Sequence, residues 1–395
     1  MGKLKSILIG AAAICCAILS GTSTVAGDIL RNAAYFSAGV VSASDLPEEN
    51  NVNSQRNSGT SVSTESTVSS VETVSTTQSQ SESSSSEENS QSEPVQRLGQ
   101  VITLNRSDGV DNEDYSKYTE KSGNILRYNF GYFDDPNIIT LSSGAQIRNL
   151  TDNSNEEMLS VSEELPLLGD FSGFELGSDE PQVLIYHTHT SESFLPFGES
   201  YDSDYPIRSS DSSRNVTAVG DAICEALAKR GISSVHDCTV HDYPMFTGAY
   251  YRSADTILND IKKYPSIKIA IDIHRDGIVN ADGSVTAPVS VIDGKSAAQL
   301  MIITGCDSPE TEIPDYIQNF KLACLLQNSA EKAYPTLARP LLFDYRNYNQ
   351  SLFVGDLLIE VGSQGNTLEE AVYSGELLGN ILADAVERLA QEQHQ

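Results

Sequence analysis

Three continuous apolar runs in the second half of the chain each end in a residue type that commonly binds metal ions. They are Val183 to Tyr186 followed by His187 and His189, residues 267–273 followed by His274, and Leu357 to Ile359 followed by Glu360. Continuous apolar runs of this length are typical of strands that are buried on both faces of a parallel sheet. In an open α/β sheet the ligand site lies outside the carboxyl ends of the strands. The pattern therefore predicts that the two histidine positions and Glu360 converge at one edge of a sheet.

Apolar residues at helical spacing separate these runs. They recur as Val216, Val219, Ile223 and Leu227 and stop before Gly231, which is a signal for the end of a helix. Further helices are predicted around residues 254–263, 315–333 and 368–390, with another strand at 300–304. Strands and helices in near-regular alternation predict a three-layer α/β domain with a mostly parallel sheet over residues 178–395.

The residues before this domain form three segments. Residues 1–27 combine Lys3 and Lys5 with an uncharged, largely apolar stretch, which is typical of a secretory signal cleaved after Ala26 or of an uncleaved membrane anchor. Either alternative places the body of the protein outside the membrane. Residues 28–100 are rich in Ser and Glu and predict a disordered tether, because such a segment buries too little apolar surface to fold. Residues 101–177 carry short alternating patterns and predict a small β-rich region, either a helper domain or an extension of the main sheet.

Charge and cysteine spacing exclude several classes of function. The net charge of −30 over 395 residues argues against a nucleic-acid partner, since few Lys and Arg side chains are available to neutralise phosphates. The cysteines that follow the N-terminal segment show no Cys-x-x-Cys spacing, so a thiolate zinc knuckle is not predicted. A polymeric substrate would therefore be recognised by shape and hydrogen bonds.

The side chains at the strand ends are suited to a catalytic zinc ion. Zn²⁺ in hydrolases typically has three protein ligands from His and carboxylate side chains, with a fourth position left for water. The candidate metal ligands are His187, His189, Glu192, Asp211 and His274. The spacing alone leaves open which histidine of the pair and which of the two carboxylates would bind the ion.

Two further residues are candidates for catalysis. Glu360 is placed to act as a general base beside zinc-bound water, and its alternative is a salt bridge at a sheet edge. Arg275 could stabilise an oxyanion or bind a substrate carboxylate, or it could be a surface charge. Asp272 and Asp276 flank His274, and one of them could orient its imidazole. Ser191 lies near His189 but lacks a Gly-x-Ser-x-Gly turn, which disfavours serine catalysis.

Several of these stretches resemble one family when they are taken in combination. The stretches are Tyr186-His-Thr-His-Thr-Ser-Glu-Ser-Phe-Leu-Pro196, His241-Asp-Tyr-Pro244 with Gly248-Ala-Tyr250, Asp272-Ile-His-Arg-Asp276, and Leu357-Leu-Ile-Glu-Val-Gly362. They resemble stage II sporulation protein P over about residues 125–390. The resemblance implies a membrane-anchored, zinc-dependent cell-wall hydrolase that cleaves the amide between N-acetylmuramic acid and the stem peptide of peptidoglycan. It also implies endopeptidase action on cross-links, a role in septal wall thinning during engulfment, and a partner, the lytic transglycosylase stage II sporulation protein D.

The catalytic half is also similar in outline to the wider zinc-dependent N-acetylmuramoyl-L-alanine amidases. That resemblance implies His189 and His274 as the two imidazole ligands and Glu360 as the late catalytic glutamate. The carboxylate ligand stays open: its place at the start of the first helix in those amidases favours Asp211, whereas proximity in sequence favours Glu192. Two alternatives remain, a wall-binding scaffold with a degenerate site and another zinc hydrolase, such as a carboxypeptidase, on the same fold.

Overall fold

The computed structural model describes residues 97–107, 113–118, 123–166 and 173–392. The predicted signal or anchor of residues 1–27, and the predicted tether up to residue 96, lie outside the described residues. Among the helices in the described ranges, none has the length and apolarity needed to cross a membrane.

The described residues form thirteen strands, five α-helices and one 3-10 helix, Tyr115–Lys117. The strands are β1 Val101–Leu104, β2 Gly123–Tyr128, β3 Ile138–Thr140, β4 Gln146–Asn149, β5 Val183–Tyr186, β6 Ser200–Tyr201, β7 Ser234–Asp237, β8 Ile269–Asp276, β9 Val285–Ile292, β10 Lys295–Ala298, β11 Leu300–Gly305, β12 Leu341–Asp344 and β13 Asp356–Ser363. The helices are α1 Asn155–Ser162, α2 Val216–Lys229, α3 Ala249–Lys263, α4 Tyr316–Ala333 and α5 Leu368–Glu392.

Nine of these strands form one large sheet in the order β1-β7-β5-β8-β13-β11-β12-β4-β3. Neighbouring strands are parallel except for the pairs β13–β11 and β4–β3. The predicted mostly parallel sheet is therefore confirmed. The other four strands form a smaller sheet in the order β10-β9-β2-β6.

Helices cover both faces of the large sheet. Alternate residues of each strand point to opposite sides, and in these strands both sets are apolar, so both faces must be covered. Val183 and Ile185 of β5 belong to the larger core, to which α1, α2, α4 and α5 contribute. Leu184 and Tyr186 point to the other face and pack with Ile257 of α3. The result is the predicted three-layer α/β architecture.

The strands and helices predicted for residues 178–395 are present, with shifted ends. The predicted strand 267–273 runs from Ile269 to Asp276, so His274 lies inside the strand and not beyond it. Glu360 likewise lies inside β13. These two strands pair with each other as far as Asp276 and Ser363, which lengthens both past the end of β5. Strands from residues 101–177 extend the main sheet at both edges, β1 beside β7 and β4 beside β12.

Candidate metal centre and active site

The loop that follows β5 is fastened onto β8 by Asp272. The carboxylate of Asp272 accepts hydrogen bonds from the backbone N–H of Thr188 at 2.8 Å and from its hydroxyl at 2.6 Å. A turn then closes between the carbonyl of His189 and the N–H of Glu192, 3.0 Å apart. This turn brings the side chains of His189 and Glu192 back over the strand that carries His274.

His189, Glu192 and His274 lie side by side in a buried cluster. Nδ1 of His274 is 3.5 Å from Oε2 of Glu192. The rings of His189 and His274 are nearly perpendicular, with centroids 5.2 Å apart. Glu192 and His274 are almost inaccessible to solvent. Of the alternatives that the sequence leaves open, His189 and Glu192 are the ones that lie next to His274.

The cluster contains buried polar atoms that lack a hydrogen bond, namely Nδ1 of His189 and Nε2 of His274. Nε2 of His274 is 2.9 Å from Oδ1 of Asp272, yet the contact lacks the alignment of a hydrogen bond. Two imidazoles and a carboxylate are a ligand set found at catalytic zinc sites, so the residue types in this cluster match those that bind zinc. Over the described ranges, no three His, Cys, Asp or Glu side chains are arranged so that they could already hold a metal ion.

Electrostatics in the cluster favour the metal-binding protonation states of Glu192 and His189. Burial acts to lower the pKa of His274, but Asp272 and Glu192 outweigh burial and raise that pKa well above its usual value. Burial acts to raise the pKa of Glu192, but its contacts with His274 and the nearby charge of Arg275 outweigh burial and lower that pKa. Burial lowers the pKa of His189 to about 4, against the opposing effect of Glu192. Glu192 is therefore ionised and His189 neutral near pH 7, which are the forms in which these groups bind metal ions.

Glu360 lies beside His274 across the pairing of β13 with β8. Its Oε2 is buried without a hydrogen bond. Burial, followed by the nearby charge of Asp276, raises the pKa of Glu360 to about 8. The strand pairing is irregular just after Glu360, where Gly362 has a φ of +63° and a Cβ would lie 2.4 Å from Oδ1 of Asn366. Glycine therefore fits this position, and the bulge directly follows Glu360, the candidate general base.

Arg275 is buried, so its interpretation as a surface charge is wrong. Its guanidinium donates to the carbonyls of Ser193 and Ile207, each at 2.7 Å, and to that of Asp276 at 3.2 Å. Its backbone N–H donates to Oε2 of Glu192 at 3.1 Å. These contacts clamp the loop that carries Glu192 onto β8.

The other two candidate ligands lie apart from this cluster. Nδ1 of His187 is 3.0 Å from the carbonyl of Ile273, and its Nε2 is 3.0 Å from Nε2 of His236. Burial lowers the pKa of His187 to about 3. Asp211 accepts hydrogen bonds from the backbone and hydroxyl of Ser213. Both side chains are engaged in local structure and not with His274.

The structure also brings aromatic side chains to the site that the sequence did not single out for a role. The ring of Phe246 stacks on His189 with centroids 4.4 Å apart, and the ring of Tyr250 meets His189 edge-on at 5.5 Å. Tyr348 stacks in turn on Tyr250 at 5.5 Å. The available signal was the recurrence of aromatic residues between residues 243 and 251, after the carboxyl end of β7.

A family model described as "Stage II sporulation protein P (SpoIIP)" matches residues 29–383 of the chain. The chain belongs to this family. Stage II sporulation protein P of Bacillus subtilis (strain 168) is 32% identical over 203 residues, which are 49% of this chain and 48% of that protein. The chain thus matches about half the length of this curated SpoIIP relative.

Two solved amidase structures show a distant likeness. N-acetylmuramoyl-L-alanine amidase AmiC2 of Nostoc punctiforme is 12% identical, with a TM-score of 0.31 over 55% of this chain and 99% of that chain. An N-acetylmuramoyl-L-alanine amidase from Clostridium difficile 630 is 10% identical, with a TM-score of 0.31 over 53% and 95% of the two chains. Likeness at this level supports no inference about this site.

Proposed function

We propose that this SpoIIP family member is a cell-wall hydrolase of sporulation that cleaves the amide between N-acetylmuramic acid and L-alanine of the stem peptide. The observation that carries the proposal is the cluster of His189, Glu192 and His274, with Glu360 on the adjacent strand. Family membership supports the wall as the place of action.

His189, Glu192 and His274 would hold a zinc ion. When bound, zinc supplies a Lewis acid that polarises the scissile carbonyl and lowers the pKa of water towards neutrality. Asp272 and Arg275 would keep these three side chains in place. Asp272 fastens the loop through Thr188, and Arg275 holds Glu192 through its backbone N–H.

Glu360 would accept the proton of the attacking water and then deliver it to the leaving amine. A general base needs a pKa near the working pH, because it must both accept and return the proton. The buried carboxyl of Glu360 has a pKa raised to about 8 in the metal-free chain. Its unpaired Oε2 leaves an oxygen free to take part in this transfer.

The remaining expectations from the family belong to this proposal. The N-terminal segment would anchor the protein in the membrane, and the tether would hold the catalytic domain on the outer side. Stage II sporulation protein D, a lytic transglycosylase, would cut the glycan strands beside it. The same site would also cleave peptide cross-links during septal wall thinning and engulfment.

Digestion of purified peptidoglycan by the full chain, analysed by mass spectrometry with and without a chelator, tests the proposal. We expect free stem peptides and glycans without peptides, and we expect both to disappear with chelator and return with added Zn²⁺. Peptides shortened at the carboxyl end would indicate a carboxypeptidase instead. Intact wall that still retains the protein would indicate a scaffold without activity.

A further inference from the structure

Four apolar or aromatic side chains in the loop after β7 and at the start of α3 are exposed to solvent, and one of them, Phe246, contacts the cluster. Between β7 and the first turn of α3, the exposed fractions are 66% for Tyr243, 62% for Met245, 40% for Phe246 and 83% for Tyr251. We call these four residues the aromatic platform. Exposed apolar side chains grouped in one short segment mark binding sites on many soluble domains.

The loop that carries the platform, between β7 and α3, is held in place mainly by hydrogen bonds from Arg252. Its guanidinium donates to the backbone carbonyls of His241 at 2.5 Å, Met245 at 2.5 Å and Thr247 at 3.2 Å. His241 is buried and is itself hydrogen-bonded to the carbonyl of His187 at 2.7 Å. The exposed rings are therefore carried by a loop whose conformation is already fixed by hydrogen bonds. Less conformational entropy of the loop is lost when a ligand binds.

The acidic side chain of the loop also points inward. Asp242 is buried and accepts hydrogen bonds from the backbone and hydroxyl of Ser191 at 3.0 and 2.7 Å and from Arg208 at 2.7 Å. In an ordinary surface loop the charged side chains face solvent and the apolar ones are buried. In this loop the carboxylate of Asp242 is buried and hydrogen-bonded, and the apolar side chains are exposed.

The platform is continuous with the cluster through Phe246. That ring stacks on His189 at 4.4 Å with an interplanar angle of 15°, and the guanidinium of Arg208 lies 4.5 Å from its centre. The platform therefore borders the cluster at His189.

We propose that the aromatic platform binds the sugar rings of the glycan strand beside the scissile amide; this inference rests on the proposed function. The C–H faces of N-acetylhexosamine rings are uncharged and flat, so they pack against aromatic faces, and the tyrosine hydroxyls can pair with sugar hydroxyls and acetamido groups. The stem peptide carries carboxylate and ammonium groups, which need charged partners. The charged groups of Asp242 and Arg252 are already engaged, so the platform favours the glycan.

Isothermal titration of the full chain with an N-acetylglucosamine hexamer tests the proposal. We expect Tyr243→Ala and Tyr251→Ala each to weaken binding about 2- to 10-fold, which is the usual contribution of one aromatic contact. Leu258→Ala is the matched control, because Leu258 is 49% exposed on the same helix α3 and outside the platform. Tyr243→Phe and Tyr251→Phe keep the rings and should retain most of the affinity.

Equal affinity of the alanine variants and the control for the hexamer would overturn the proposal. So would a loss confined to a stem tripeptide used as a second probe, because the platform would then serve the peptide side. Cleavage of a substrate with a single N-acetylmuramic acid reports on the proposed function separately. We expect the control Leu258→Ala to cleave it as the unmodified chain does. If the unmodified chain does not cleave it but the hexamer result holds, the platform stands as a saccharide site and the proposed amidase function fails.

Discussion

Replacing Glu360 by glutamine tests the assignment of the general base. Gln has the same size as Glu, so the substitution removes the proton acceptor without opening a cavity. Loss of a general base lowers turnover by about 10²- to 10⁴-fold, or roughly 3–5 kcal/mol of transition-state stabilisation. Glu360 is absent from the set of His189, Glu192 and His274, so we expect bound zinc to be unchanged.

The same substitution should change the stability of the metal-free chain in a known direction. The pKa of Glu360 is raised from 4.5 to about 8, mainly by burial. The folded chain therefore holds this proton where the unfolded chain has lost it, and the wild type loses stability as pH rises from about 4.5 to 8. Gln is neutral at every pH. The free energy of unfolding of the variant should therefore rise relative to that of the wild type between about pH 4.5 and 8, and the difference should stay constant above about pH 8.

Three measurements check this prediction together. Product formation from peptidoglycan gives the rate, elemental analysis gives zinc per chain, and urea unfolding of the chelator-treated protein at several pH values gives stability. Glu225→Gln is the control, because Glu225 is exposed on α2. A variant that loses zinc, or that keeps more than a tenth of the rate, would refute the assignment of Glu360 as the base.

Three further substitutions test the surroundings of the cluster. His274→Ala should abolish zinc binding in elemental analysis, and unchanged zinc content would remove His274 from the ligands. Asp272→Asn should weaken zinc about 10- to 100-fold in a chelator competition, because partners behind a metal ligand typically contribute that much; equal affinity would mean that Asp272 does not orient the imidazole. Arg339→Met should lower the free energy of unfolding in urea by about 3–5 kcal/mol, since it leaves Asp276 charged and buried. Arg339 and Asp276 are 2.9 Å apart and fully buried, so a loss below about 1 kcal/mol would contradict the ion pair.

Much of the fold follows from local patterns. The apolar runs that become β5, β8 and β13 are long enough to identify buried strands, and the spacing of Val216, Val219, Ile223 and Leu227 identifies α2. Because the three strands are parallel neighbours, residues near their carboxyl ends lie close together, even though His274 and Glu360 are inside their strands. His274 and Glu360 could therefore be placed together from the sequence alone.

The choice of ligands within the first loop could not be predicted in the same way. His187 and His189 are two residues apart and would share a face if β5 continued. The strand stops at Tyr186, and Thr188 is drawn onto Asp272. His187 then turns towards His236 while His189 turns towards His274. These contacts depend on strands that are distant in sequence, so no spacing rule separates the two histidines.

The case of Arg275 shows why a charge inside an apolar strand need not lie at the surface. The segment from Ser193 to Ile207 is largely irregular, so its carbonyls need donors from outside a regular sheet ladder. The carbonyl of Ile207 accepts from the backbone N–H of Ser193 as well as from Arg275. A guanidinium offers five donors in a fixed fork, so one arginine on β8 can satisfy carbonyls from separate parts of this loop. Because the backbone N–H of Arg275 also holds Glu192, this residue joins the strand that carries His274 to the loop that carries the carboxylate. The position of Glu192 in the cluster therefore depends on a side chain whose role appears only when the whole loop is folded.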